Sequence, residues 1–366
     1  MIAEWTLMGA VQWGLGVGIG ALAVYKLVTL VFGDADLKTL SLKSVPGNAF
    51  EGRVVWITGA SQGLGELLAR SMFAKGALLI LSARREDQLQ RVANTLGDPS
   101  RVKVLPLDLT AGADEISAAV IQAEAAFGDH GVDVLVHMAG SSQRGRVEDT
   151  ASVVDEALFS LNTHAPIALT KAVLPRFLSR GAGQIVLISS MAAKIFSPGQ
   201  ATYAAAKAAA SSFHHTLHCE VADRGVDVCV MYGGPIASGS SEHPRTVYGP
   251  NGPESLPAAP EGKSRLSMER FVELVMLGTY HHVPEVWASK HPVLVLAYLS
   301  QYLPSVAGMI LRKIGPARAR ALNDQNSSER TGTDSNIDKG YSLTSLWGEA
   351  RKTAPKKKLQ FPPKKL

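Results

Sequence analysis

Arg53-Val54-Val55-Trp56-Ile57-Thr58-Gly59-Ala60-Ser61-Gln62-Gly63-Leu64-Gly65 joins a β-branched run to three glycines. A helical pattern, Leu64–Lys75, follows directly. Glycines at a strand-to-helix turn let the backbone bend sharply and approach a pyrophosphate, which then sits at the helix N-terminus. A glycine triplet alone is weak; here it stands between a strand and a helix, as those mechanics require. Gly59, Ser61, Gln62, Gly63, Leu64 and Gly65 are therefore candidate dinucleotide contacts.

The same alternation continues on the C-terminal side. Short aliphatic runs recur at Arg53–Thr58, Ala77–Ser82, Arg101–Leu107, Asp133–His137, Gln184–Ser189, Val226–Met231 and Glu285–Ala288. Helical patterns lie between them at Glu86–Leu96, Ala113–Phe127, Val153–Leu178, Thr202–Asp223 and Met268–His281. This predicts an α/β fold, a doubly wound parallel sheet of Rossmann type with helices on both faces. Residues 48–290 would form that domain. Ser238–Ser267, rich in Gly, Pro and Ser, shows no periodicity and reads as a lid or disordered insertion.

The residues after the second strand bear on the cofactor. Dinucleotide folds selective for NAD place an acid there, against the ribose 2′-hydroxyl. This chain has Arg84 and Arg85 instead. Guanidinium groups bind a 2′-phosphate through paired hydrogen bonds, so NADP(H) is the expected cofactor. Asp108-Leu109, after the third strand, is placed to meet the adenine ring or to cap the next helix.

Tyr203 and Lys207 are four residues apart, hence on one helix face. Ser190 lies 13 residues before Tyr203, at a strand end, and Asn162 sits in the preceding helix. A phenol titrates near 10, and a neighbouring ammonium favours its phenolate, bringing it towards a useful acid–base range. Lys207 can supply that field. Ser190 can hydrogen-bond a carbonyl oxygen and stabilise developing charge.

Together with TGASQGLG, this set resembles the short-chain dehydrogenase/reductases, with TGxxxGxG, Asn, Ser and YxxxK in the family's order from about Glu51 to Ala288. The stretches VVWITGASQGLGE, LSARRED, VLPLDLT, GSSQRG, ALTKAVLP and EVWASKHPVLVLAYLSQYLP are similar to the membrane-anchored dehydrogenase/reductase member 7 subfamily. The resemblance implies an NADP(H)-dependent endoplasmic-reticulum enzyme acting on retinoid, steroid or xenobiotic carbonyls or alcohols. It implies a catalytic tetrad of Asn162, Ser190, Tyr203 and Lys207. Lys207 would also bind the nicotinamide ribose, and Asn162 would hold a water linking Lys207 to solvent. Ala139, Gly140, Gly234, Pro235, Ile236 and Ser238 would complete the cofactor site. Two departures stand out. His137-Met138 replaces a pair of asparagines, which removes sheet-bracing hydrogen bonds, and Gly233 replaces a proline, which loosens the backbone. A reductase of 3-keto-sphingoid bases shares anchor, fold and tetrad. A non-catalytic NADP(H)-binding membrane scaffold is the reading those departures would allow.

Composition sets the remaining limits. The 366 residues are 46% hydrophobic and 19% charged, enough to bury a core. Two cysteines, Cys219 and Cys229, exclude a disulfide scaffold and read as buried thiols. The net charge of +5 resides wholly in the last 40 residues, so the body has no basic excess and no nucleic-acid partner is expected. The segment 327–366 reads as a disordered basic tail. Trp5 to Tyr25 is uncharged over 21 residues, and about 20 apolar residues span a bilayer. Residues 1–33 are thus the expected transmembrane helix, contacting membrane lipids. Lys38, Lys43 and Arg53 follow it, which places the body in the cytosol. Pro292–Leu311, also uncharged, reads as part of a C-terminal apolar helical extension, residues 291–326, that lies on the membrane or covers the core. Ten histidines form no ligand set at metal spacing, so no metal is expected. A homo-oligomer through the helices around Asn162 and Tyr203 fits the resemblance.

Overall fold

The computed structural model describes residues 33–237, 245–256 and 264–331. The expected anchor, Trp5 to Phe32, and the tail beyond Thr331 lie outside the described residues. Among the described residues no helix is long and apolar enough to cross a membrane.

Seven parallel strands form the main sheet: β1 (Val54–Thr58), β2 (Leu78–Ser82), β3 (Val102–Val104), β4 (Val134–His137), β6 (Gly183–Ser190), β7 (Val226–Gly233) and β10 (Glu285–Ala288). Their order across the sheet is β10-β7-β6-β4-β1-β2-β3. The reversal falls between β1 and β4, and ligands of such sheets bind outside the carboxyl ends of the strands there. Strand side chains alternate between two buried faces, which is why the runs are apolar throughout rather than every second residue. Val55 and Ile57 join Leu68, Met72, Leu89 and Phe271 on one side. Val54 and Trp56 join Ile116, Val173 and Phe177 on the other.

The helices follow the expected ranges closely. They are α1 (Leu37–Leu40), α2 (Gly63–Phe73), α3 (Glu86–Leu96), α4 (Ala113–Glu124), α5 (Ser152–Phe159), α6 (Ala165–Arg180), α7 (Ala201–Glu220), α8 (Met268–Tyr280), α9 (Val293–Tyr302) and α10 (Pro304–Thr331). Gly97 at φ +78° and Gly181 at φ +63° end α3 and α6 in the left-handed conformation that suits glycine. The predicted single helix Val153–Leu178 is interrupted by a π-turn, Ser160–His164, which carries Asn162. Such turns insert a residue into the helical ladder and re-aim the side chains around it.

Within the insertion, read from sequence as a lid or a disordered segment, residues 245–256 form strands. β8 (Arg245–Gly249) and β9 (Gly252–Leu256) form a hairpin, and β8 pairs in parallel with β5 (Ser142–Gln143) in a three-stranded sheet. Pro250-Asn251 forms the two-residue turn, which lacks the Asn-Gly or Asp-Gly pair that marks a hairpin in sequence.

The N-terminal end of the described chain is fixed against β10. Ala35 makes an antiparallel bridge to Ala288, and the Ser289 amide donates to the Asp34 carbonyl at 2.9 Å. Arg270 pairs with Asp34 at 2.9 Å, so the chain enters beside the outer strand β10. α9 and α10 pack on Leu187, Val230, Tyr232 and Trp287 through Val293, Leu294, Leu311 and Ile314. Pro304 opens α10, where its missing N–H costs nothing. Ser327–Thr331, the first residues of the expected tail, continue α10.

Candidate active site

The glycine turn has the geometry a phosphate cradle needs. Gly59 (φ +69°) and Gly63 (φ +58°) are left-handed, which other residues adopt only with strain. A Cβ on Gly59 would lie 2.8 Å from the Ala139 Cα, and one on Gly65 would lie 2.2 Å from the Gly59 carbonyl oxygen. Turn, helix and β4 end thus pack too closely for any side chain. Gln62 and Gly63 begin α2, whose unpaired N–H groups and dipole favour an anion. Leu64 packs on the core, and Ser61 is buried. Glu66 locks the turn from behind: it pairs with Arg91 at 2.7 Å and Arg70 at 2.8 Å, while Arg91 also donates to the Ser61 carbonyl at 3.1 Å. Burial pushes the Glu66 carboxyl up, and the two guanidinium groups more than offset it.

Arg84 and Arg85 are exposed at the mouth of the turn. Arg85 Nη2 donates to Gln62 Oε1 at 2.7 Å, so it already reaches the glycine loop. Asp108 accepts from the Thr110 amide at 2.9 Å and hydroxyl at 2.7 Å. These bonds, with Arg84 nearby, hold its carboxyl below the usual range. Asp108 closes its own turn; α4 begins at Ala113 after Gly112. Leu109 packs against the core on the α4 face.

The four tetrad candidates stand at the carboxyl ends of β4 and β6. Ser190 ends β6, and its hydroxyl accepts from the Ala192 amide at 3.1 Å. Its neighbour Ser189 turns the other way and bonds Ser211 of α7 at 2.7 Å. Tyr203 lies in the first turn of α7 and Lys207 one turn on. Lys207 Nζ donates to the Ile188 carbonyl at 2.8 Å, and burial lowers it to about 8. A Cβ on Gly140 would lie 2.8 Å from Asn162 Oδ1 and 3.1 Å from Lys207 Nζ, so these three converge. Asn162 also braces the chain: Oδ1 accepts from the Ser141 amide at 3.2 Å and Nδ2 donates to the Ser141 carbonyl at 3.0 Å.

The expected loss of bracing at His137-Met138 does not occur. His137 Nε2 lies 2.8 Å from Thr170 Oγ1, which lies 3.0 Å from His214 Nε2. All three side chains are buried, joining β4, α6 and α7. Thr58 Oγ1 adds bonds to the Val136 carbonyl and to the Met138 and Ala139 amides, at 3.2 to 3.3 Å. Burial, then the neighbouring His214 and Lys207, hold His137 well below its ordinary value. Burial lowers His214 to about 4. Nor is Gly233 loose: it pairs with Ser190 and Ala288, and a Cβ would lie 2.9 Å from the Phe271 ring. A Cβ on Gly234 would lie 2.0 Å from Ser289 Oγ. The Pro235 carbonyl accepts from the Leu266 amide at 2.9 Å, and Ile236 packs on the core. Ser238 lies outside the described residues.

Other groups frame the site that the sequence reading did not single out. Gln143 Oε1 accepts from the amides of Thr202 and Tyr203 at 3.0 and 3.1 Å. Arg318 of α10 donates to Ser197 at 3.1 Å in the loop before α7. The missing N-cap at Gln200 could have signalled Gln143, since some group must meet those amides. Lys194 stands over the Tyr232 ring at 4.4 Å and pairs with Glu285 at 2.9 Å. His215 bonds Glu285 at 3.0 Å, and His281 and His282 bond the Lys43 carbonyl and Asp227. Cys229 is buried as expected, but Cys219 is exposed on α7.

Comparison with known proteins bears on the family and the fold. The family described as short chain dehydrogenase matches residues 53–246. A mouse protein named dehydrogenase/reductase SDR family member 7 is 33% identical over 326 residues, covering 86% of this chain and 93% of its own. Its human namesake is 36% identical over 278 residues, covering 72% and 78%. Among solved structures, a short-chain dehydrogenase from Streptomyces avermitilis superposes with a TM-score of 0.59 at 24% identity, covering 74% of this chain and 99% of its own. One from Burkholderia cenocepacia, in complex with NADP, gives 0.57 at 22%, covering 70% and 95%. The family match over more than half of the chain, with relatives a third identical along most of both lengths, makes this protein a member of the short-chain dehydrogenase/reductase family of oxidoreductases.

Proposed function

We propose that the protein is a membrane-anchored, cytosol-facing, NADP(H)-dependent reductase that interconverts a carbonyl and an alcohol on a bulky lipophilic substrate. The observation that carries this reading is the convergence of buried Lys207 and Asn162 at Gly140, one helical turn from Tyr203 and beside the end of β6. The glycine cradle fits a dinucleotide pyrophosphate, since its turn leaves no room for side chains, and Arg84 and Arg85 fit a 2′-phosphate. NADPH held there by the glycine turn and the two arginines would supply the hydride for the carbonyl carbon.

The chain's own residues handle orientation and the proton. Ser190 donates a hydrogen bond to the carbonyl oxygen and holds it beside Tyr203. The Tyr203 hydroxyl gives its proton to that oxygen as negative charge develops there. Lys207, cationic below about 8, stabilises the phenolate that results. Asn162, in contact range of the same point, keeps Lys207 connected to solvent through water, so the phenol is reprotonated. Oxidation of the alcohol runs these steps backwards.

Lipophilic substrate and membrane attachment rest on apolar surface. Phe196, in the loop between Ser190 and Tyr203, is 67% exposed. Tyr302, Leu303 and Met309 are exposed around the α9–α10 elbow. The chain enters beside β10 at Ala288, shortly before α9 begins at Val293, so the uncharged N-terminal segment is joined to this side of the molecule. We place the protein in the endoplasmic-reticulum membrane on this basis and on the member 7 likeness.

The test is NADPH consumption by detergent-solubilised protein with retinal, steroid ketones and small dicarbonyls, beside Tyr203→Phe. Turnover that the variant loses, with NADPH binding retained by fluorescence, is the expected result. Equal turnover in both proteins overturns the reading.

A further inference from the structure

The helix carrying Tyr203 begins without a cap of its own. Its N-cap position is Gln200, whose side chain makes no bond to the helix backbone. It instead accepts from Ser197 at 2.8 Å and donates to Ser142 at 2.9 Å. A helix start leaves four amides unpaired, and a cap residue ordinarily takes those of the second and third helical positions. In α7 these are Thr202 and Tyr203. Both donate to one atom, Gln143 Oε1, at 3.0 and 3.1 Å. Gln143 is 1% exposed and stands 59 and 60 residues away in sequence. Its amide nitrogen is directed to Thr150 Oγ1 at 3.4 Å.

Gln143 itself is held from the other side. It lies in β5, paired with Tyr248 of the β8–β9 hairpin, and the next amide, Arg144, donates to the Tyr248 carbonyl at 2.7 Å. β5 follows Ala139-Gly140-Ser141, the segment braced by Asn162. The hairpin, the cofactor-side backbone and the tyrosine helix are therefore tied at one buried side chain.

We infer that Gln143 is a positioning residue for Tyr203: an N-cap supplied in trans from the small sheet, through which the 245–256 hairpin fixes where the phenol stands. The inference rests on the proton-donor role of Tyr203 given above. A cap that sets the first turn of α7 controls the tyrosine directly, because Tyr203 is itself one of the two capped residues. It has little purchase on the glycine cradle, which belongs to β1 and α2. Displacement of a reacting group by a fraction of an ångström costs about 10-fold or more in turnover.

The experiment compares Gln143→Leu, which removes the acceptor, with Gln143→Glu, which keeps an acceptor at the same reach. Wild type and Tyr203→Phe are measured beside them. For the leucine variant, kcat should fall by about 10-fold with KM for the carbonyl and Kd for NADPH within about twofold of wild type. The glutamate variant should restore most of that kcat. If the leucine variant fails to fold, Gln143→Met carries the same expectation. Wild-type kcat without the acceptor overturns the inference. So does equal loss in the leucine and glutamate variants, or a loss of NADPH binding in proportion to kcat, either of which marks Gln143 as structural only. Full turnover in Tyr203→Phe instead overturns the proton-donor reading on which it rests.

Discussion

Thr170→Val should destabilise the protein far more than its change of one atom suggests. Thr170 is fully buried between His137 and His214, and the proton positions follow from the partners. His214 Nδ1 lies 2.8 Å from the Ala210 carbonyl, which can only accept, so Nδ1 carries the proton. His214 Nε2 therefore accepts from the Thr170 hydroxyl, and the Thr170 oxygen accepts from His137 Nε2–H. Valine keeps the shape and removes both bonds. It orphans one buried donor and one buried acceptor, each costing about 1–3 kcal/mol, for a total of about 2–6 kcal/mol. Thr170→Ser keeps both bonds and loses one methyl, about 1 kcal/mol. Urea unfolding should thus show a midpoint lowered by about 1 M or more in the valine variant, and by much less in serine. Both histidines sit below their ordinary value in the folded protein, through burial. Their contribution is therefore complete above the unfolded value of about 6.5 and is lost as pH falls towards about 4. Wild-type stability should decline across that window. A valine variant within about 0.5 kcal/mol of wild type, or a serine variant equally damaged, would refute the network as the brace that replaces the asparagines.

Three other consequences are measurable. Lys207 loses its charge as pH rises through about 8, so carbonyl reduction should fall above that pH. Its folded value lies below the ordinary one, so the burial penalty is complete below pH 8 and vanishes towards about 10.4; relative to Lys207→Met, wild-type stability should rise across that range, and a flat difference would contradict it. Replacing Arg84 and Arg85 by alanine should raise KM for NADPH by about 10-fold or more per side chain that grips the phosphate, and leave KM for NADH unchanged. Parallel rises for both cofactors would assign the arginines to something other than the 2′-phosphate.

Periodicity in the sequence was enough to place all seven strands of the main sheet within a few residues, because a parallel sheet buried on both faces leaves a continuous apolar run for each strand. The glycine turn at Thr58–Gly65 was legible for a similar reason: backbone that must bend and pack closely excludes side chains, and that exclusion is written locally. Ser190, Tyr203 and Lys207 were singled out as candidates by spacing, which survives folding when the residues share a helix or follow one strand. Asn162 was singled out as a candidate, but not the π-turn that carries it, since a single inserted residue leaves no periodic trace. The hairpin at 245–256 was missed because its strands are short and half polar, and its Pro250-Asn251 turn lacks the Asn-Gly or Asp-Gly pair that marks a hairpin.

What no local pattern could supply were the partners. Gln143 caps a helix that begins some 60 residues later, and His137 finds Thr170 at 33 residues and His214 through it at 44 more. A missing cap or a missing asparagine reads from sequence as a weakness. Only the packed structure shows the donor or acceptor that meets it, because hydrogen bonds between buried side chains are set by distance in space, and the sheet order that brings β4, α6 and α7 together is not contained in any one segment.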